Sequence, residues 1–394
     1  YQIGVLEHLV THVAPELDRG LELEVLSGTS AGAIHAAAMA SRIDDLGAAV
    51  TTMRDAWTSL RLDAMLRPSA IELLSMLSEL AGRPERLHRI LHALGARGGL
   101  VDPRPVARLC ELAVDQGAIG EHLRRRRLTG VAVSATEVAT GRATVFHQAR
   151  HPPATGGAVM TPVELSPEHV LASASMPVLF PAVAIGGELY CDGGLRQMVP
   201  LSPALHLGAR RVLMVSAVAR IDDDVVAGAA RRAAISSPLY LAGKALDALF
   251  SDGVESDLDR LMQVNRLLDA GARRYGPGFA ASLDRELASA GAPPIRPIDV
   301  VHIQPSRDLG ALAAAYVASE AFARGARGAT SRVFRCVAGD NDARGGGLLA
   351  YLLFDGGFAA QLIELGRDDA RARHDALVTL FAPGEAQARS MQPG

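Results

Sequence analysis

A serine between two glycines is the feature of this sequence that most directly suggests chemistry. Gly28 and Gly32 flank Ser30 in a G-x-S-x-G pattern, which follows an apolar run at 21–26 and precedes a strongly helix-forming stretch at 31–42. Strand, sharp turn and helix are the context of a nucleophile elbow, in which a serine hydroxyl at a helix N-terminus attacks a carbonyl carbon. The other interpretation is a small-residue turn that only packs a helix against a strand.

A serine nucleophile needs a base to take its proton, and Asp192 is one candidate. It ends a predicted short strand and is followed by Gly193 and Gly194, which let the backbone turn close to a site. The other candidate is a histidine, because α/β-hydrolases use a serine, an acid and a histidine in that chain order, and His206 and His302 both follow Asp192. An ordinary Asp-Gly turn and a histidine satisfied within a strand would explain these residues without catalysis. From the residues alone, either Asp192 or a histidine could be the base for Ser30.

Alternating apolar strands and helices predict the architecture around these residues. Helix is expected at 1–13 and, with breaks, through most of 45–123. Further helices are predicted at 237–250, 254–271, 278–290, 309–323 and 347–383, and strands at 128–135, 143–148, 182–190, 211–217 and 298–303. Several strands are continuous apolar runs, as in a parallel sheet covered on both faces. The pattern indicates one α/β sandwich with a mainly parallel sheet, from which the helices of 230–297 are an excursion.

Composition restricts the functional class. The chain has 394 residues, of which 49% are hydrophobic, and its net charge of −3 gives no reason to expect a nucleic acid partner. The three cysteines, Cys110, Cys191 and Cys336, fit no disulfide or metal pattern, so a reducing, cytoplasmic location is expected. No apolar run reaches the ~18 residues of a membrane span. Because no side chains have zinc-ligand spacing either, we expect neither a metal nor a cofactor.

Five separated blocks of the sequence resemble those of the patatin-like lipid acyl hydrolases and occur in that family's order. The first, Tyr1–Leu6, looks like the helix after the family's oxyanion loop, and the others are Gly28–Ala33, Ala135–Arg142, Ala172–Pro181 and Asp192–Leu195. The resemblance covers about residues 1–220. It implies an α/β fold built as a three-layer α/β/α sandwich, with a mainly parallel central sheet and additional helices.

The resemblance also implies a mechanism and a substrate. Ser30 and Asp192 would form a catalytic dyad without a histidine, and the substrate would be a phospholipid or another acyl lipid, as for a phospholipase A or a lysophospholipase. The position of the elbow agrees with this, since only 27 residues precede Gly28 whereas α/β-hydrolases usually place the elbow after several strands. The glycines of the two motifs are expected to permit their tight turns: Gly28, Gly32, Gly193 and Gly194.

Two departures from the family's pattern bear on activity. The glycine-rich oxyanion loop is expected directly before Tyr1, outside this sequence, and one donor of such a loop is worth about 2.7–4 kcal/mol in the transition state. The Asp-Gly-Gly element is usually followed by asparagine and proline, and here only Pro200 matches. These departures leave a non-catalytic lipid-binding regulatory protein on the same fold as one alternative. The histidines that follow Asp192 leave a carboxylesterase with a Ser-Asp-His triad as another.

Domain organisation and membrane contact are the last expectations. Residues 1–310 are interpreted as the catalytic core and 311–394 as a helical extension packed on it. Peripheral contact with a lipid surface is expected from the apolar stripe within 237–271 and from the four consecutive arginines at 124–127. Core packing would produce the same stripe, and a solvated turn explains the arginines more simply.

Overall fold

Strands from distant parts of the chain form two sheets in the computed structural model, which describes residues 1–65, 101–153, 159–197, 199–217, 238–289, 295–326, 331, 334–335, 338 and 346–382. The strands are β1 (Val25–Thr29), β2 (Gly130–Glu137), β3 (Ala143–Ala149), β4 (Val159–Pro162), β5 (Val183–Ile185), β6 (Glu188–Asp192), β7 (Arg211–Val215) and β8 (Asp299–Ile303). The first six form one sheet in the order β4-β3-β2-β6-β5, with β1 also paired to β2, and β7 pairs with β8.

The pairings combine both strand directions. The parallel pairs are β1 with β2, β3 with β4 and β7 with β8, whereas β2 with β3, β2 with β6 and β5 with β6 are antiparallel. The antiparallel β5–β6 and β2–β3 pairs follow from short connections, because a few residues can reverse the chain but cannot make a crossover. The α/β class predicted from the sequence is confirmed.

Helices account for most of the remaining described residues. They are α1 (Gln2–His8), α2 (Ala31–Ser41), α3 (Leu46–Thr58), α4 (Leu62–Met65), α5 (Arg104–Ala113), α6 (Gln116–Arg124), α7 (Pro167–Ser173), α8 (Leu201–His206), α9 (Pro238–Tyr275), α10 (Phe279–Ser289), α11 (Leu309–Ala318), α12 (Glu320–Gly325), α13 (Gly346–Leu352), α14 (Gly356–Ala372) and α15 (His374–Phe381). A π-helical turn at Leu9–Val13 continues α1. Among these helices, none has the length and apolar character needed to span a membrane.

Several predicted boundaries were wrong, each for a physical reason. The strand predicted at 21–26 is Val25–Thr29, because its ladder with β2 starts at the pair Val25–Gly130. The two helices predicted within 237–271 are one continuous helix, and β4 was not predicted at all. The helix predicted at 347–383 is divided where Asp355 caps a new helix through the N–H groups of Gly357 and Phe358. Residues 66–100 of the predicted helical region lie outside the described residues.

Helix α1 is held in place by α14, which lies near the other end of the chain. Their backbones touch, since a Cβ atom on Gly4 would lie 1.8 Å from the carbonyl oxygen of Ile363, and one on Gly366 would lie 2.1 Å from that of Tyr1. Glu7 adds ion pairs that join three helices, with Arg367 of α14 at 2.6 Å and with Arg54 of α3 at 3.3 Å. The Tyr1 hydroxyl donates to Asp369 at 2.9 Å. Residues far apart in sequence therefore fix where α1 begins.

The contact between α1 and α14 predicts that a glycine-to-alanine substitution destabilises the protein at Gly366. The same substitution should stabilise it at Gly120, a helical glycine outside the contact. Gly366→Ala should lower the free energy of unfolding by about 1–3 kcal/mol, because the methyl group must displace a backbone carbonyl. The control is Gly120→Ala in α6, where the nearest atom to the new methyl group is the flexible Gln148 amide at 3.9 Å. Alanine should there raise the free energy by about 0.5–1 kcal/mol through helix propensity. Urea denaturation measures both, and equal effects would contradict the close helix contact.

Candidate active site

One edge of β2 brings Ser30 and Asp192 together. Along this edge β1 pairs in parallel with residues 130–134, and its last residue, Thr29, lies opposite Ser134. Directly beyond, β6 pairs antiparallel with the same edge, and its last residue, Asp192, lies opposite Ala135. The ends of β1 and β6 therefore meet at adjacent positions of β2. Ser30 is the next residue after β1, so the register alone places it beside Asp192.

The backbone at Ser30 is strained in the manner of a nucleophile elbow. Its φ is 55° and its ψ is −128°, and it stands directly before α2 as the N-cap residue. A non-glycine residue in such a region costs about 1–3 kcal/mol and is held only by its surroundings. The turn is so tight that a Cβ atom on Gly28 would lie 2.1 Å from the carbonyl oxygen of Gly32. Gly32 is different, since its own Cβ would first meet the Gln2 side chain at an ordinary 3.5 Å.

A buried hydroxyl on α7 links the elbow to β2. Ser173 is fully buried, its Oγ accepts a hydrogen bond from the Ser30 N–H at 3.1 Å, and it donates to the Ser134 carbonyl at 2.6 Å. The same carbonyl limits the turn that follows Asp192, because a Cβ atom on Gly193 would lie 2.1 Å from it. The Ser134 carbonyl thus contacts both halves of the site. Sequence reasoning placed Ser173 in a family block but assigned it no contact.

Asp192 is held by its backbone and left with one free carboxylate oxygen. Its N–H donates to the Ser175 carbonyl at 2.9 Å and its carbonyl accepts from the Thr136 hydroxyl at 2.9 Å. In the side chain, Oδ1 accepts from the Gly194 N–H at 2.7 Å. The residue is 0% exposed, and Oδ2 has no hydrogen bond of normal geometry to any described residue.

Burial sets the proton affinity of this carboxyl group. Desolvation raises the pKa of Asp192 to about 6, although the nearby Ser30 hydroxyl and the hydrogen bond from the Gly194 N–H act in the opposite direction. A carboxylate with this pKa is ionised at neutral pH and binds a proton more strongly than a solvated aspartate does. Such a group beside a serine hydroxyl can act as a general base.

The two histidines considered as alternative bases have other partners. His302 on β8 pairs through Nε2 with the Ser216 hydroxyl at 3.0 Å, and His206 pairs with the Ser202 hydroxyl at 3.3 Å. Burial lowers the pKa of each. Neither makes a described hydrogen bond to Ser30 or Asp192.

A third histidine, which sequence reasoning did not single out, lies next to the elbow. His35 on α2 accepts the Trp57 indole N–H at Nε2 at 2.9 Å, so its remaining proton is on Nδ1 and points to Gln2 Oε1 at 2.8 Å. Burial lowers the pKa of His35 to about 3, which keeps the ring neutral. A histidine within the alanine-rich stretch 33–40 was the available signal. The chain of hydrogen bonds joins the start of α1 to the elbow helix.

Other candidate features do not form a site. Arg124 and Arg125 both pair with Glu121, and Arg127 pairs with Asp44 at 2.8 Å, so most of the arginine run is engaged in ion pairs. Within the described ranges, no three histidine, cysteine or acidic side chains are grouped to hold a metal ion. Two cysteines, Cys110 and Cys191, are buried and free, and Cys336 lies outside the described residues.

Comparison with known proteins identifies the family of the chain. A family model described as patatin-like phospholipase matches residues 1–205, slightly more than half of the 394 residues. The matched range contains β1 to β6 and both Ser30 and Asp192. No curated protein matches the chain.

The geometry of the elbow predicts that its two glycines differ. Gly28→Ala should reduce activity by about 100-fold or more, because a methyl group 2.1 Å from a backbone oxygen must open the turn and displace the serine. Gly32→Ala should keep most of the activity, since its methyl group faces only the end of a flexible side chain. The measurement is ester turnover by both variants, with the melting temperature of each as a folding control. A Gly32→Ala variant as inactive as Gly28→Ala would refute this account of the turn.

The raised pKa predicts a pH-dependent effect of Asp192→Asn on stability. The pKa is about 6 when folded against a reference of 3.8, so ionisation of the buried carboxyl group destabilises the folded state as the pH rises through this range. Asparagine does not ionise and keeps the acceptor for the Gly194 N–H. At pH 8 the variant should be more stable than the wild type by about 3 kcal/mol. At pH 4 this advantage should largely disappear, and urea denaturation at both values tests it. An equal difference at pH 4 and pH 8 would be evidence against a raised pKa.

Proposed function

Because the chain belongs to the patatin-like phospholipase family, whose members are lipid acyl hydrolases, we propose that it hydrolyses acyl esters of lipids through a dyad of Ser30 and Asp192. The observation that carries this proposal is the meeting of the two residues along β2, with a strained serine beside a buried carboxylate that has a free oxygen. The reaction type is that of a phospholipase A or a lysophospholipase.

The reaction proceeds in two halves. In the first, Asp192 Oδ2 takes the hydroxyl proton as Ser30 Oγ attacks the ester carbonyl carbon, which gives a tetrahedral oxyanion. The oxyanion collapses to an acyl-enzyme while the protonated Asp192 returns the proton to the leaving alcohol. In the second half, Asp192 takes a proton from water, the hydroxide oxygen attacks the acyl carbon, and the fatty acid leaves as Ser30 is reprotonated.

The oxyanion requires hydrogen-bond donors close to Ser30. The N-terminus of α2 presents backbone N–H groups next to Ser30, where they favour developing negative charge. The family's glycine-rich loop is expected directly before Tyr1. Gln2 at the start of α1 bonds to His35 of the elbow helix, so the N-terminal end of α1 lies beside the elbow. We propose that this upstream loop supplies the remaining donors.

The hydrogen bonds of the histidines support a dyad rather than a triad. In a triad, a histidine lies between the serine and the acid, and the acid orients its ring. Here Asp192 directly adjoins Ser30, and both His302 and His206 pair with other serines. The carboxylate itself therefore performs the proton transfer.

The supply of substrate from a lipid surface is a second part of the proposal. It is supported by the family's substrates, which are lipids, and it is compatible with a cytoplasmic protein that contacts membranes transiently. The arginines at 124–127 support it less than expected, because three of the four pair with Glu121 or Asp44.

The helical extension at 311–394 is proposed to pack on the catalytic core. Helix α14 supports this, because its backbone contacts that of α1.

The dyad predicts which substitutions remove activity. Ser30→Ala and Asp192→Asn should each reduce the hydrolysis of a fatty acyl ester by about 10⁴-fold or more, because nucleophile and base act as one unit. His302→Ala and His206→Ala are the controls and should retain most of the activity if their melting temperatures are near that of the wild type. The measurement is kcat/KM of the full-length protein. Loss of turnover in a well-folded His302→Ala variant would favour the triad, and full turnover by Ser30→Ala would exclude the serine mechanism.

A further inference from the structure

We propose that Ser173 is a positioning residue, whose hydroxyl holds the strained turn at Ser30 and locks it to the strand that carries Asp192. This inference rests on the proposed function and deepens it. It gives a role in the reaction to a residue that neither attacks the substrate nor accepts a proton from it.

The first support is the hydrogen bond from the Ser30 N–H to Ser173 Oγ at 3.1 Å. The ladder of β1 with β2 ends at Thr29, and the first N–H groups of a helix have no partner within the helix. The Ser30 N–H therefore has no hydrogen-bond acceptor in either the sheet or the helix. A side chain on α7 supplies the acceptor at the residue whose φ of 55° needs external support.

The second support is the direction of the other bond that Ser173 makes. Its hydroxyl proton is donated to the Ser134 carbonyl at 2.6 Å, which leaves a lone pair for the Ser30 N–H. Since the side chain is fully buried, both groups would be left unsatisfied if the hydroxyl were removed. The Ser134 carbonyl oxygen also lies against the backbone of Gly193. This one oxygen therefore contacts both Ser173, which holds the Ser30 N–H, and the turn that follows Asp192.

Ser175 provides a matched control on the same segment. It is also buried, and its hydroxyl donates only to the Leu171 carbonyl one helical turn earlier, at 2.7 Å. Its contact with the site is the backbone carbonyl that accepts the Asp192 N–H, and alanine retains that carbonyl. Ser175→Ala thus removes a buried hydroxyl from this segment without removing any bond to the elbow.

The test compares Ser173→Ala, Ser173→Thr and Ser175→Ala with the wild-type full-length protein. Ser173→Ala should lower kcat by about 10- to 100-fold with little change in KM, because it displaces the nucleophile and removes no group that is proposed to bind the substrate. Ser175→Ala should change neither constant when all variants are assayed below their melting temperatures. Ser173→Thr keeps the hydroxyl and should recover most of kcat if the extra methyl group is accommodated; if it is not, the two alanine variants decide the matter. Equal kcat values for those two variants would overturn the proposal.

Amide hydrogen exchange at residue 30 gives a readout that does not depend on turnover. The Ser30 N–H should exchange faster in Ser173→Ala and at the wild-type rate in Ser175→Ala. If the wild type shows no turnover, the proposed function fails, while the exchange rates still decide whether Ser173 holds the turn. Unchanged protection of Ser30 in Ser173→Ala would overturn the positioning role even if activity fell.

Discussion

The edge of β2 is the constraint on which the rest of the site depends. One strand accepts β1 and β6 end to end, so backbone hydrogen bonds fix the positions of Thr29 and Asp192 at neighbouring residues of β2. Side-chain flexibility contributes little to the spacing of the dyad, because each catalytic residue stands at the end of a strand. The demand for glycine at Gly193 follows, since the chain must turn away there within contact distance of the Ser134 carbonyl of β2, whereas Gly28 is required because its own turn closes against the backbone of Gly32.

Two energetically unfavourable features lie where β1 and β6 meet on β2. The Ser30 backbone is strained, and the Asp192 carboxyl group is buried with one oxygen free. Both features suit the proposed mechanism, in which the first would present Ser30 as a nucleophile at a helix N-terminus and the second would raise the proton affinity of Asp192 as its base. The surroundings offset them with bonds that come from different elements, namely Ser173 on α7, the Gly194 N–H and the Thr136 hydroxyl on β2. Helix α14 adds a constraint from outside the matched range by fixing the start of α1.

The sequence was informative where local pattern decides structure and uninformative where long-range pairing does. The elbow could be predicted because an apolar run, two glycines and a helix-forming stretch lie within about twenty residues, and the turn lies there in the structure. The proximity of Asp192 could not be derived from spacing, because it depends on the register of β2, over fifty residues away. The residues offered Asp192 only as one of two possible bases, and the family resemblance favoured it. The chain Trp57–His35–Gln2 was missed for the same reason, since it joins three helices. The roles assigned to Ser30 and Asp192 remain predictions.

Covalent labelling of Ser30 by a fluorophosphonate tests the central claim most directly, because only an activated serine reacts quickly with such a probe. The full-length protein would be treated at pH 8, and the modified peptide identified by mass spectrometry in the wild type and in Asp192→Asn. The dyad predicts rapid modification of Ser30 in the wild type and a large loss of labelling rate in Asp192→Asn, although that variant is folded. Equal labelling rates in the two proteins, or no modification of Ser30 in the wild type, would contradict it.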